Sequence, residues 1–203
     1  MSEISDKIRA FLAVNFSVAT TRAIAELEDA VRKETPPDLR IAWVPAANLH
    51  VTLKFLGWTR EEALEAIRDR VAKEVSGYSG FELRAKGLGA FPTTTSPRVV
   101  WVGLEDSSGL LAKLAVGCEQ WMSDLGFTKE ERPFRPHVTI GRVKEGKGSL
   151  ADLIGKYGDR DCGTSPIREV VLYQSKLRAQ GAEYIARARI PLGGRKEEAR
   201  DGK

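Results

Sequence analysis

The two histidines of the chain, His50 and His137, lie in the same short pattern. The pattern is histidine, valine, threonine and an aliphatic residue, and its two copies are His50-Val51-Thr52-Leu53 and His137-Val138-Thr139-Ile140. In a β-strand, residues i and i+2 point to the same face, so each copy is predicted to present an imidazole beside a hydroxyl. Two such strands facing one another would supply a general acid, a general base and two hydroxyls, which suits metal-free cleavage of a phosphodiester.

A histidine on a strand can also be a structural residue of the core. The recurrence of threonine two residues after both histidines favours a shared chemical role over this alternative. The predicted catalytic residues are therefore His50 and His137, and the predicted substrate-binding residues are Thr52 and Thr139. The sequence has no cluster of His, Cys and carboxylate residues at ligand spacing, so it predicts neither a metal site nor a cofactor.

Hydrophobic periodicity predicts the elements that position these motifs. The predicted strands are 7–16, 41–44, 49–56, 81–88, 99–103, 137–143, 167–177 and 183–190. The predicted helices are 18–33, 60–75, 110–125 and 150–157. Gly57 is predicted to end the first histidine strand, Thr59 and Glu62 to form a capping box, and residues 180–182 to turn a hairpin.

The two histidine strands fall in different halves of the chain, and each half also carries a long helix. This arrangement predicts an internal pseudo-repeat, with two α+β lobes whose sheets face one another across a groove. Residues 1–192 are predicted to form a single bilobal domain. Residues 193–203 (GGRKEEARDGK) are predicted to be a charged, disordered tail.

Composition is compatible with an anionic ligand. The 203 residues carry a net charge of +4, are 42% hydrophobic and 30% charged, and can bury a core. Cys118 and Cys162 are far apart and predict free thiols in a reducing compartment, with Cys118 on the buried face of a helix. The first residues lack the apolar core of a signal peptide and no run of 18 apolar residues occurs, which predicts a cytoplasmic protein with no membrane partner.

At both motifs the chain resembles the two-histidine phosphoesterase superfamily, and within it the bacterial and archaeal RNA 2′,3′-cyclic phosphodiesterase family, also called the 2′-5′ RNA ligase family. The hallmark of the superfamily is a pair of His-x-Thr-x tetrapeptides, and the chain matches it at both positions. The resemblance covers residues 8–192. The flanking segments that also match are Trp43-Val44-Pro45, Leu53-Lys54-Phe55-Leu56-Gly57, Phe134-Arg135-Pro136 and Gly141-Arg142-Val143.

This resemblance implies an α+β fold of two pseudo-symmetric lobes, each an antiparallel sheet with helices on its outer face, around a central cleft. It implies a metal-free enzyme whose partner is an RNA or oligonucleotide with a 2′,3′-cyclic phosphate end, hydrolysed to a 2′-phosphate. It implies His50 as the proton donor and His137 as the proton acceptor, whereas the residues by themselves are symmetric on this point. The reverse reaction, 2′-5′ ligation, is expected to be secondary, and we expect a monomer.

Two alternatives remain open from the sequence. One is an enzyme acting on a small cyclic nucleotide such as an ADP-ribose cyclic phosphate. The other is a non-catalytic nucleotide- or RNA-binding module that clamps a phosphate between the two strands. Two intact histidines argue against the clamp, because binding alone does not need two titratable groups there.

Several other side chains are candidates for binding. On a regular strand Lys54 would share the face of His50 and meet phosphate, or lie at a solvated strand end. Arg142 would point away from the site unless a bulge intervenes. The arginines predicted either to contact backbone phosphates or, more often, to be surface charges are Arg98, Arg132 and Arg135. The aromatic residues predicted either to stack a base or, for most of them, to pack in the core are Phe11, Trp43, Phe55 and Phe91.

Overall fold

The computed structural model describes residues 7–178 and 181–193, which form nine strands and four α-helices. The strands are β1 (Lys7–Val14), β2 (Arg40–Trp43), β3 (Val51–Arg60), β4 (Phe81–Pro92), β5 (Pro97–Glu105), β6 (His137–Glu145), β7 (Asp161–Ile167), β8 (Glu169–Arg178) and β9 (Gly181–Pro191). The helices are α1 (Val18–Glu34), α2 (Ala63–Val75), α3 (Leu110–Asp124) and α4 (Ala151–Tyr157), with a short 3₁₀ helix at Ala46–Asn48.

The strands form two antiparallel sheets, one for each lobe. The first sheet has the order β3-β1-β8-β9 and the second has the order β2-β6-β5-β4-β7. Helices α2 and α3 pack on the first sheet, and α1 and α4 pack on the second. The predicted α+β fold with two sheet-and-helix lobes is therefore confirmed.

Each lobe is assembled from both halves of the chain, which the sequence pattern did not predict. The first sheet contains the early strands β1 and β3 beside the last two strands, β8 and β9. Helix α3 follows a strand of the second sheet and yet packs against β3 of the first. The lobes are therefore interleaved along the sequence, and β3 and β6, the two histidine strands, contact one another where the sheets meet.

The long helices form because their apolar residues recur on one face. In α1 the buried side chains are spaced at helical intervals, and Ser17 accepts a hydrogen bond from the backbone N–H of Thr20 at 3.2 Å as an N-cap. In α3, Cys118 is fully buried among leucines and methionine, as predicted. Burial raises the pKa of the Cys118 thiol well above its usual range, which keeps it protonated and unreactive.

The predicted end of β3 and start of α2 were wrong. Gly57 has a positive φ of 69° but does not end the strand, which continues to Arg60 because its last residues pair with the start of β1. Helix α2 begins at Ala63 with no side-chain cap, so the predicted capping box does not form. The Thr59 hydroxyl instead donates to the Gly57 carbonyl at 3.4 Å.

The chain between α4 and β8 also differs from the prediction. The edge strand β7 was missed because its sequence contains Gly163 and Pro166 and shows no clear alternation, and it forms by pairing with β4. Ile167 ends β7, so the predicted strand 167–177 begins instead at Glu169. Strands β8 and β9 pair as predicted, with Arg178 opposite Gly181. Of the predicted turn 180–182, Gly181 and Ala182 belong instead to β9, and residue 180 lies outside the described residues.

Two further predictions concern the ends and the membrane. The predicted tail lies outside the described residues except for Gly193, whose N–H donates to the Val75 carbonyl at 3.0 Å. Within the described ranges, no helix has the length and apolar character needed to cross a membrane.

Candidate active site

His50 lies directly before β3 and is held from both ring nitrogens. Its Nδ1 is 2.7 Å from the carbonyl oxygen of Asn48, and its Nε2 is 3.0 Å from Oγ1 of Thr52. Because a carbonyl can only accept, Nδ1 carries the hydrogen, and Nε2 is the nitrogen left for proton transfer. Asn48 is anchored in turn, since its side-chain amide donates to the Ala182 carbonyl at 2.7 Å.

His137 is the first residue of β6 and uses the same local contact. Its Nδ1 is 2.6 Å from the carbonyl oxygen of Arg135, again two residues earlier in the chain. Its Nε2 is therefore also the nitrogen that remains for chemistry. Both histidines make this contact because, in each motif, the carbonyl belongs to the residue two positions before the histidine.

A β-bulge follows the threonine in both motifs. In β3, Thr52 is opposite Ala13 of β1 and Lys54 is opposite Leu12, so one residue is extra. In β6 the pairing with β5 shifts in the same way. There Thr139 is opposite Trp101 and Gly141 is opposite Val100. A bulge reverses the faces of all residues that follow it, so the regular alternation used for the sequence predictions fails here.

The bulge in β3 turns Lys54 away from the histidines, to the face covered by α3. Lys54 is 4% exposed, and its Nζ donates to Oε2 of Glu119 and to the Thr128 carbonyl, each at 2.7 Å. Both roles predicted for Lys54 from the sequence, phosphate contact and a solvated strand end, were therefore wrong. Lys54 instead ties α3 and the loop before the second motif to β3.

The bulge in β6 has the opposite effect on Arg142. This residue is opposite Val99 of β5 and is exposed on the same face as His137 and Thr139. The sequence placed Arg142 at the site only if a bulge intervened, and the bulge is present. Arg142 is therefore the cation that the fold brings to the two motifs.

The same bulge in β3 also decides which residue stands at the matching place in the first lobe. It puts Phe55, which is opposite Phe11, on the same face as Thr52, and we call this the cleft face. Phe55 and Arg142 are both the third residue after their threonine. The Phe55 side chain is 61% exposed, so the two lobes present an aromatic ring and a cation at equivalent positions.

Both histidines have a lowered pKa. Burial lowers the pKa of His50 most, the Asn48 carbonyl partly offsets this, and the charges of Arg142 and His137 lower it further. Burial also lowers the pKa of His137, the Arg135 carbonyl opposes this, and Arg142 lowers it again. Both imidazoles are therefore mainly neutral near pH 7 until an anion binds beside them.

The His50 side is lined by aromatic rings. Ring centroids of Phe11, Tyr184 and Tyr173 lie 4.9, 5.2 and 6.4 Å from that of His50. Phe11 is 2% exposed and supports the imidazole, so it is a packing residue. No role at the site was predicted for Tyr173 and Tyr184, although each lies on one strand of the predicted last hairpin, in a segment that also resembles the family.

The remaining predicted side chains fall into two groups. Phe91 approaches His137 edge-on with centroids 5.2 Å apart, while Trp43 packs against the core beneath Arg32. The predicted surface arginines are exposed, namely Arg98, Arg132 and Arg135. Among the described residues, no group of three or more His, Cys, Asp or Glu side chains is placed to hold a metal ion.

The chain is similar to known proteins of one family. The family model described as LigT like phosphoesterase matches residues 17–101 and 102–184. A protein of Archaeoglobus fulgidus named RNA 2′,3′-cyclic phosphodiesterase is 36% identical over 78% of this chain and 92% of its own length. One of the same name from Methanothermobacter thermautotrophicus is 34% identical over 88% of this chain and 95% of its own.

Solved structures of similar proteins superpose on the fold of this chain. A Thermus thermophilus protein superposes with a TM-score of 0.78 at 26% identity, covering 92% of this chain and 99% of that protein. The E. coli LigT structure complexed with 3′-AMP superposes with a TM-score of 0.71 at 26% identity and the same coverage. The paired motifs, the two-sheet fold and the family match together show that the chain belongs to the LigT-like phosphoesterase family.

Proposed function

We propose that the chain is an RNA 2′,3′-cyclic phosphodiesterase that hydrolyses the cyclic end to a 2′-phosphate. The observation that carries this proposal is the meeting of two His-x-Thr strands from different sheets. In each imidazole, Nδ1–H donates to the backbone carbonyl two residues earlier, and Nε2 remains available for proton transfer. The names of relatives that are 34–36% identical over most of this chain support the same reaction.

In the proposed mechanism, His137 removes a proton from water as the water attacks phosphorus. The bond from phosphorus to the 3′ oxygen breaks, and His50 delivers a proton to that oxygen. This requires one neutral and one protonated imidazole. The negative phosphate favours protonation of one imidazole, because an anion beside an imidazole raises its pKa and offsets the effect of burial.

The phosphate oxygens gain negative charge in the transition state. We assign the hydroxyls of Thr52 and Thr139 to the two non-bridging oxygens, one from each lobe. Arg142 adds a full positive charge on the same face as His137. Donors set in advance at such positions are usually the largest single contribution to a rate enhancement.

The same steps with an RNA 5′-hydroxyl in place of water would open the cyclic phosphate and give a 2′-5′ linkage. Water at ~55 M competes with the hydroxyl, so ligation is the slower reaction unless the second RNA end is held at the site. We further propose that residues 1–192 act as a single bilobal domain and a monomer, since each motif lies in a different lobe and one chain supplies both.

The test is hydrolysis of an oligonucleotide with a 2′,3′-cyclic phosphate end by EDTA-treated enzyme. Wild type should release the 2′-phosphate, and His50→Ala and His137→Ala should each lose at least about 10²-fold in kcat. Arg98→Gln, an exposed charge, is the control and should retain activity. Loss of wild-type activity in EDTA, or full activity of either histidine variant, would contradict the proposal. Tight binding without turnover would favour the phosphate clamp instead.

A further inference from the structure

A second group of exposed side chains continues the cleft face of the first sheet beyond the histidines. Past Phe55, the next residue of β3 on this face is Trp58, which is opposite Arg9 of β1. Trp58 is 66% exposed and Phe55 is 61% exposed. Neighbouring exposed aromatic rings that continue a candidate active site are unusual on a soluble domain and indicate a contact surface.

Arg9 lies beside Trp58 on the neighbouring strand of this face. It is two residues from Phe11 along β1, a separation of about 7 Å, and its side chain is exposed. Burial raises the pKa of the Tyr184 hydroxyl, while the charges of Arg142 and Arg9 both oppose that rise. The tyrosine therefore lies within reach of both charges. Within residues 7–178 and 181–193, Arg9 has no carboxylate partner.

The end of the same face is also basic. Lys7 and Arg60 are the next cross-strand pair after Trp58 and Arg9, and both are exposed. Like charges directly opposite one another destabilise a sheet, although Arg60 also lies 3.4 Å from Glu62. Aromatic rings bordered by cations fit a polyanion with planar bases better than they fit an apolar protein surface.

We propose that this face binds the nucleotide that precedes the cyclic phosphate end of RNA. Trp58 stacks its base, and Arg9 binds the phosphate that links it to the terminal nucleotide. This inference rests on the proposed function and narrows its substrate class to oligonucleotides, as against small cyclic nucleotides. Sites for single-stranded nucleic acid combine the same two features, aromatic stacking and cations along the backbone.

The experiment compares kcat/KM for adenosine 2′,3′-cyclic phosphate and for the dinucleotide ApA with the same cyclic end. Wild type should prefer the dinucleotide by about tenfold, the range expected for one stacked base. Trp58→Ala should abolish most of that preference and Trp58→Phe should keep it. Arg9→Gln should reduce the preference and its dependence on salt. The exposed controls Val116→Ala on α3 and Arg22→Gln on α1 should match wild type on both substrates.

The outcomes separate this inference from the proposed function. Equal wild-type kcat/KM on the two substrates overturns the second-nucleotide site and leaves the phosphodiesterase intact. The second-nucleotide site is also overturned if Trp58→Ala lowers kcat/KM equally on both substrates. It is overturned as well if Trp58→Ala keeps the dinucleotide preference but changes the sedimenting mass. If wild type hydrolyses neither substrate, the proposed function fails. Equal dinucleotide affinity of wild type and Trp58→Ala would then overturn the inference as well.

Discussion

The two lobes share the backbone conformation of the histidine motif and differ in the side chains around that motif. Each presents valine and threonine on a strand, with the histidine at or directly before its first residue, and each strand bulges at the residue after the threonine. Yet His50 has three aromatic rings within 6.4 Å, whereas His137 has Phe91 at 5.2 Å and the exposed Arg142 on its face. The pseudo-symmetry therefore covers the two histidines and their threonines, and it does not extend to the side chains around them.

The difference is clearest just after the bulges. Lys54 and Gly141 stand at equivalent positions and both turn away from the cleft face. Lys54 forms a buried ion pair, while a Cβ on Gly141 would come within 2.8 Å of Ile41 Cγ2 and 3.0 Å of Trp43. One residue further, Phe55 and Arg142 face the cleft. We infer that one lobe is built to meet a base and the other to meet a phosphate.

The largest effect is expected when His50→Ala and His137→Ala are compared on a substrate whose leaving group needs no proton. Replacing the 3′ oxygen of the cyclic phosphate by sulfur gives a thiolate leaving group, with a pKa near ~8.5, that needs no proton. If His50 is the acid, His50→Ala should recover at least about 10²-fold relative to the oxygen substrate. His137→Ala should show no such recovery, and single-turnover rates on both substrates measure this. The reverse pattern would exchange the two roles.

Arg142→Gln is expected to lower kcat/KM by about 10²-fold, because it removes a charge beside the developing phosphate charge. Arg98→Gln is the matched control, since it removes an exposed arginine one residue from the strand partner of Arg142. Steady-state kinetics on one oligonucleotide would show the contrast. Similar small losses in both variants would mean that Arg142 has no special relation to the phosphate.

Phe55→Leu tests the base-binding side with a smaller expected effect. Loss of one stacked base should raise KM by about tenfold and leave kcat nearly unchanged. Its exposed side chain makes few core contacts, so the thermal midpoint should move little. A fall in kcat with unchanged KM would contradict the division between a base side and a phosphate side.

The smallest effect concerns pH. Because the pKa of each histidine is lowered from 6.5, the state with one neutral and one protonated ring is most populated below pH 6.5 in the free enzyme. The optimum of kcat/KM should lie on that acidic side. Arg142 lowers both pKa values, so Arg142→Gln should move both limbs of the profile to higher pH. A profile that stays in place, or moves to lower pH, would show that Arg142 does not act on the pair.

Much of the candidate site could be predicted because it depends on local alternation. The spacing of two residues puts His50 beside Thr52, which its Nε2 meets at 3.0 Å, and the same spacing holds for His137 and Thr139. The strand carrying each motif was also predicted, as was the buried position of Cys118 in α3. The missed strand β7 has no such local pattern, because it is held by the neighbouring strand β4.

The sequence by itself determined the two candidate histidines, their hydroxyl neighbours and the family, since each depends on residue type and on a period of two. The tertiary structure decided which cation meets them. Lys54 and Arg142 exchange their expected faces because a bulge forms only through pairing with another strand, β1 in one lobe and β5 in the other. Pairing between residues far apart in sequence leaves no mark in the local pattern, so the cation of this site could be identified only from the folded chain.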